Sequence, residues 1–187
     1  MSFPGIPSLD AAVMAFIQTH FHNTVTDTVF PIITSLGEAG IGWIVLSLVL
    51  LCSKKTRRTG GLVLIAMTVT LLFGELTLKN IICRLRPCNV FTDFPMLIAR
   101  PSSYSFPSGH TSSSFAAALI LTLRHKKVGW LAYIPAVLIA FSRIFLFVHY
   151  PTDVLAGILL GTLAALLTYF AAKAIQKRQA EKRTAQI

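Results

Sequence analysis

The groups in this chain that can move a proton or hold an anion fall at telling intervals. Pro107-Ser108-Gly109-His110 closes a polar loop and opens an apolar helix through Ala116, Ala117 and Leu119. A turn that feeds a helix leaves the first N–H groups without partners, and with the helix dipole they form a site for an anion such as phosphate. His110 lies at the rim of that cradle, where it can transfer a proton. His149 and Asp153 are four residues apart, with Pro151 between them at a natural helix start. A helical turn there puts both on one face. A carboxylate bonded to one ring nitrogen fixes the tautomer and leaves the other nitrogen free to attack. Lys79, Arg86 and Arg143 give three cations, and arginine clamps phosphate oxygens through two parallel hydrogen bonds. The Ser108 hydroxyl and the Gly109 and His110 amides add donors. No cluster of carboxylates is present to hold a metal pair, so charge neutralisation falls to the cations, and no metal or cofactor is expected.

Taken singly, each of these residues also fits a structural role. Lys79 and Arg86 suit snorkelling positions at a membrane interface. Arg143 suits an ion pair with Asp153, and Glu75, one turn before Lys79, suits a structural partner for it. His20, His22 and His125 are read as surface or interface residues.

The elements that must carry these groups are apolar helices. Of 187 residues, 54% are hydrophobic and 13% charged, far from the balance of a solvated globular domain. Apolar runs cover roughly 41–52, 61–78, 111–123, 128–148 and 154–172, against the ~20 apolar residues a span requires. The first and third must borrow flanking residues. Basic clusters follow the first, third and fifth runs: Ser53-Lys54-Lys55-Thr56-Arg57-Arg58, Arg124-His125-Lys126-Lys127, and Lys173, Lys177, Arg178, Lys182 and Arg183. Five antiparallel spans put all three clusters on one side, which the positive-inside rule makes cytoplasmic. The 17 Lys and Arg against 7 Asp and Glu therefore read as membrane topology rather than nucleic-acid binding. The expected fold is an all-α multi-pass bundle forming one domain. It comprises an amphipathic N-terminal segment, 1–38, lying on the membrane surface, a transmembrane core, 39–172, with a catalytic loop over 79–110, and a basic cytoplasmic tail, 173–187. Gly157-x-x-x-Gly161 in the fifth run carries a close-packing pattern between membrane helices. Cys52, Cys83 and Cys88 fit neither a disulfide framework nor a zinc site, though Cys83 and Cys88 flank 84–87 and a bridge between them would brace that loop.

On this layout Lys79, Arg84, Arg86, Arg100, Pro107 to His110, Arg143, His149 and Asp153 collect at the opposite, outer face. Ionisable groups at membrane depth are expensive and usually functional. At this point the chain resembles the type 2 phosphatidic acid phosphatase superfamily, which also includes vanadium haloperoxidases. Three motifs occur in order: Lys79-x6-Arg86-Pro87, Pro107-Ser108-Gly109-His110, and Ser142-Arg143-x5-His149-x3-Asp153. All eleven defined positions match.

The resemblance implies a metal-independent phosphomonoesterase or pyrophosphatase working through a phosphohistidine. It makes His149 the nucleophile oriented by Asp153, and His110 the general acid and then the base that activates water. Lys79, Arg86, Ser108, Gly109 and Arg143 become the phosphate cradle. The expected partners are the lipid bilayer and a membrane lipid phosphate, with undecaprenyl pyrophosphate first. Phosphatidylglycerophosphate and phosphatidic acid are the alternatives, and Arg84 and Arg100 are extra charge for a second phosphate or anchors for the loop. The expected place is the cytoplasmic membrane with the site facing outward. Two competing readings are a lipid phosphotransferase, which passes the phosphoryl group to another lipid rather than to water, and a non-catalytic binder or transporter.

Overall fold

The computed structural model describes residues 3–184, and every regular element among them is helical. α1 (Ser8–His20) and α2 (Thr24–Leu36) meet at Asn23, whose side chain accepts from the Val25 and Thr26 amides while the Thr26 hydroxyl accepts from the Asn23 amide. That reciprocal pair satisfies the open end of α2. A short 3₁₀ turn, Glu38–Gly40, then leads into α3 (Ile41–Leu51). α4 (Arg57–Thr70) continues without a break through a π-helical stretch, Leu71–Leu78, into α5 (Lys79–Ile82). α6 (Pro87–Val90) opens the loop that ends at Ser108. α7 (Gly109–Arg124) is followed by a 3₁₀ turn, Gly129–Ala132, α8 (Tyr133–Phe145) and the long α9 (Pro151–Thr184).

α7 is the centre of the bundle, packed by α4, α8 and most extensively by α9. Its small residues make this possible: Ala116, Ala117 and Ala118 are fully buried, as are Thr111 and Ser114. Two stretches are long and apolar enough to cross a membrane, Arg57–Val90 and Pro151–Thr184, with mean hydropathies of 2.0 and 2.1. Thr24–Leu36 and Glu38–Leu51, bent by 45°, make a third if taken as one broken span. Length explains the difference from the five expected spans. α7 has 16 residues, roughly 24 Å at 1.5 Å per residue, and it is walled by other helices rather than by lipid. Along α9, Leu155, Leu159, Leu163 and Phe170 are exposed, as an apolar surrounding requires.

The N-terminal segment packs more deeply than a surface helix. α1 buries Asp10, Met14, Ile17 and Gln18, and the Gln18 amide donates to the Phe145 carbonyl at 3.0 Å. α2 packs against α8. Met14 and Ile17 thus turn into the bundle, while Leu9 and Phe16 of α1 and Val25, Val29, Ile32 and Leu36 of α2 stay exposed.

Candidate active site

The site is built where α7 and α9 start side by side. Gly157 and Gly161 bring the two helices together: a Cβ at Gly157 would stand 2.7 Å from the Ser108 carbonyl oxygen. The Ser108 amide donates to the Asp153 carbonyl at 3.1 Å, so the turn before α7 and the first turn of α9 are tied directly. Ser108 is fully buried and its Oγ accepts from the Thr111 hydroxyl at 2.9 Å. It lies beneath the cradle, while Gly109 and His110 form its surface.

His149 sits in the turn between α8 and α9, 1% exposed. That turn is held by Phe147, which adopts a left-handed φ of 59° and stacks on Phe94 at 3.9 Å between ring centroids. The side of the imidazole bearing Nδ1 faces Asp153 Oδ2 at 3.5 Å and the Ser105 hydroxyl at 3.4 Å. Ser105 donates in turn to Asp153 Oδ2, which also accepts from the Tyr150 amide at 2.9 Å. Nε2 looks the other way, 2.9 Å from Arg86 Nη1. Because guanidinium is only a donor, Nε2 is the acceptor and the proton belongs on Nδ1. Burial first, then the positive charges of Arg86, Arg143 and Lys79, push the His149 pKa well below its ordinary 6.5. The ring is neutral, with its free lone pair turned toward the cations.

Those cations are themselves positioned. Lys79 donates to Glu75 at 2.8 Å, the structural pairing expected from their spacing. Glu75 lies within the π-helical stretch Leu71–Leu78 and Lys79 directly follows it, a local over-widening common at functional sites. Arg86 donates to the Ser103 carbonyl, the Ser103 hydroxyl, the Val148 carbonyl and His149. Of five guanidinium hydrogens one is left over. Arg143 donates to the Thr34 hydroxyl at 2.5 Å, and its Nε is buried with no partner. The Nε2 atom of His110 is likewise buried without a hydrogen bond, with the Glu38 carboxylate 3.4 Å away. Buried polar atoms are rarely left unpaired, and both of these orphans border one cavity. That cavity, of about 960 Å³, is lined by Lys79, Arg86, Gly109, His110, Arg143 and His149 at its polar end and by Pro31, Ile44, Leu64, Met67 and Leu71 on its apolar wall. Its shape suits an anionic head joined to an apolar tail. Among the described residues no group of three or more His, Cys, Asp or Glu is placed to hold a metal ion.

Three expectations are corrected or sharpened. Arg84 is not spare charge for a second phosphate: it is engaged by Asp10 at 2.7 Å and Asp153 at 2.6 Å. Arg100 holds the loop, donating to the carbonyls of Cys88, Thr92 and Phe94. Cys83 and Cys88 are unpaired, one exposed and one buried. The sequence reading also missed Ser105, Thr34 and Asp10. Ser105 stands in the polar run before Pro107 and was hidden among Ser102, Ser103 and Ser108. Nothing local marks Thr34 or Asp10, whose partners lie 74 to 142 residues away.

The comparisons with known proteins agree with this geometry. The PAP2 superfamily domain matches residues 59–177. Undecaprenyl-diphosphatase of Sulfolobus acidocaldarius is 37% identical over 127 residues, 67% of this chain and 61% of that relative, so this chain spans about three fifths of its length. Undecaprenyl-diphosphatase BcrC of Bacillus subtilis is 31% identical over 157 residues, 79% of this chain and 76% of that protein. Among solved structures, a transmembrane PAP2-type phosphatidylglycerolphosphate phosphatase from Bacillus subtilis superposes with a TM-score of 0.73 at 30% identity, covering 92% of this chain and 89% of that one. With three motifs gathered round one cavity and the family model matching residues 59–177, more than half of the chain, the chain belongs to the PAP2 superfamily.

Proposed function

We propose that the chain is an integral membrane lipid phosphatase that cleaves a lipid pyrophosphate, undecaprenyl pyrophosphate before others, through a covalent phosphohistidine. The observation that carries this reading is the neutral His149, whose unprotonated Nε2 is turned to Arg86 at the polar end of a cavity that Lys79 and Arg143 also line and that has an apolar wall. His149 Nε2 attacks the terminal phosphorus, forming a P–N bond as the P–O bond to the lipid monophosphate breaks. The Nδ1 proton stays in place, hydrogen-bonded toward Ser105 and Asp153, which stabilise the imidazolium character that develops. Lys79, Arg86 and Arg143 hold the equatorial oxygens, and donors aimed at developing charge are the largest single contribution in such sites. His110 delivers a proton to the leaving oxygen where the substrate is a monoester, then takes one from the water that breaks the P–N bond and releases phosphate. Hydrolysis through these groups calls for no metal.

The polyprenyl assignment rests on the names of the two sequence relatives, not on charge, since Arg84 and Arg100 are engaged elsewhere. A phosphatidylglycerophosphate phosphatase is the second reading, favoured by the solved structure that superposes over 92% of the chain. The test is phosphate release by the purified protein in EDTA, comparing kcat/KM for undecaprenyl pyrophosphate, phosphatidylglycerophosphate and phosphatidic acid. A preference above about tenfold for either glycerolipid, roughly 1.4 kcal/mol in transition-state binding, overturns the polyprenyl assignment. Activity lost in EDTA and restored by magnesium overturns the mechanism. Phosphate transfer to an added lipid with no release to water would make the enzyme a phosphotransferase.

A further inference from the structure

An ionic network lies behind the site, on the side of Asp153 away from the cavity. Arg84 Nη1 donates to Asp153 Oδ1 at 2.6 Å and to the Thr152 hydroxyl at 2.7 Å. Arg84 Nη2 donates to Asp10 Oδ2 at 2.7 Å. Asp10 accepts besides from the Thr152 amide at 2.9 Å and the Thr152 hydroxyl at 2.7 Å. The guanidinium also covers the Tyr150 ring, 3.8 Å above its centroid. Both carboxylates are fully buried, and neither Arg84, Asp10 nor Thr152 borders the cavity.

We infer that Arg84 and Asp10 are positioning residues for His149, so that the N-terminal helix sets the aim of the nucleophile from behind. The inference rests on the catalytic reading of His149 given above. Its physical content is directional. Asp153 has two oxygens: Oδ2 serves the His149 and Ser105 side, and Oδ1 is fixed by Arg84. With Oδ1 held by one arm of the Arg84 fork and Oδ2 by Ser105 and the Tyr150 amide, the carboxylate is fixed at both oxygens, and Oδ2 keeps its place beside the imidazole. Asp10 in turn holds the fork and caps the first turn of α9, where an amide lacks a helical partner. A single positive charge between two buried carboxylates keeps the group at one net negative charge. The imidazolium-like character of the attacking histidine needs that charge behind it.

The test uses the full chain in detergent, with three variants: Arg84→Lys, Asp10→Asn, and the double variant Asp10→Asn with Arg84→Gln. The double variant keeps the net charge and leaves no carboxylate facing a missing cation at Asp10, so it carries the test should a single change prevent folding, which is checked by thermal unfolding and gel filtration. Each is measured for kcat and KM in lipid phosphate hydrolysis and for the affinities of orthovanadate and sulfate. Orthovanadate can take His149 Nε2 as a fifth ligand, whereas sulfate engages only the cations. We expect kcat to fall on the order of 10- to 100-fold, the scale for a misplaced reacting group, with KM within about twofold. We expect vanadate to weaken by a similar factor while sulfate is unchanged. Vanadate and sulfate weakening in parallel would show general loss of structure and overturn the inference, as would folded variants with unaltered kcat and vanadate affinity. A wild-type protein that binds vanadate but releases phosphate from no lipid would refute the proposed function and leave the positioning test readable from the vanadate-to-sulfate ratio.

Discussion

On the proposed mechanism, His149 can attack phosphorus only while it is neutral and aimed. Its burial between Phe147 and Tyr150, both themselves buried, removes water from the ring, and the neighbouring cations make protonation still less favourable. The consequence for stability has a definite sign. Below about pH 6.5 the unfolded imidazole takes up a proton that the folded one refuses. The unfolded state then binds more protons, so stability falls as pH falls. His149→Gln removes this term. The wild type should lose melting temperature more steeply than His149→Gln between pH 7 and pH 5, and equal slopes would contradict the buried neutral state. His149→Ala should abolish turnover, because no other group on the cavity is placed to attack phosphorus. Arg143→Ala should cost about 100- to 1000-fold in kcat, the scale for losing one donor to developing charge, since its unpartnered Nε faces the cavity.

At the scale of elements, the cradle depends on how closely α9 approaches the start of α7. Gly157→Ala would force the Ser108 carbonyl and the Thr111 side chain to shift, an overpacking that costs about 1–3 kcal/mol. It should lower both the melting temperature and kcat, whereas Gly61→Ala, with open space around its Cβ position, should alter neither. The small-residue pattern in α9 was legible in the sequence because close helix contact demands it. The three motifs were legible for a similar reason, since local turns and helix starts fix which side chains share a face. What sequence could not supply were contacts closed by tertiary packing. Asp10 reads as an ordinary polar position in a short helix, and its meaning comes only from Arg84 and Thr152. Thr34 reads as part of an apolar piece, and its hydroxyl matters because α2 lies against α8. The extra charge assigned to Arg84 went wrong on the same ground: a count of arginines near a loop does not say which way each one points. Thr34→Val tests that contact. It leaves Arg143 Nη1 without its partner and should raise KM and lower kcat together, by about tenfold in kcat/KM for a lost hydrogen bond to a charged group.

For the whole molecule, topology is the open quantity with the clearest experiment. The proposed outward-facing site follows if the basic clusters at Lys54 to Arg58, Arg124 to Lys127 and Lys173 to Arg183 are cytoplasmic, as the positive-inside rule expects. Cysteine introduced at Arg57, in a background lacking Cys52, Cys83 and Cys88, should stay unlabelled by an impermeant reagent in intact cells. Labelling there would reverse the orientation.

The long final helix is also a ruler. Asp153 and Lys173 are 20 residues apart on α9, a rise of roughly 30 Å, which is about the thickness of a bilayer hydrocarbon core. If α9 spans the bilayer with a charge at each end of that interval, the proposed nucleophile is held at the depth where lipid phosphates lie. The substrate then need not be lifted out of its leaflet, and its apolar chain stays solvated by its neighbours throughout the reaction. Thickness therefore becomes a variable of the chemistry. In vesicles of graded acyl length, turnover should peak where the core is near 30 Å and fall in thinner and thicker bilayers alike, as the phosphorus atom is offered too high or too low to the imidazole.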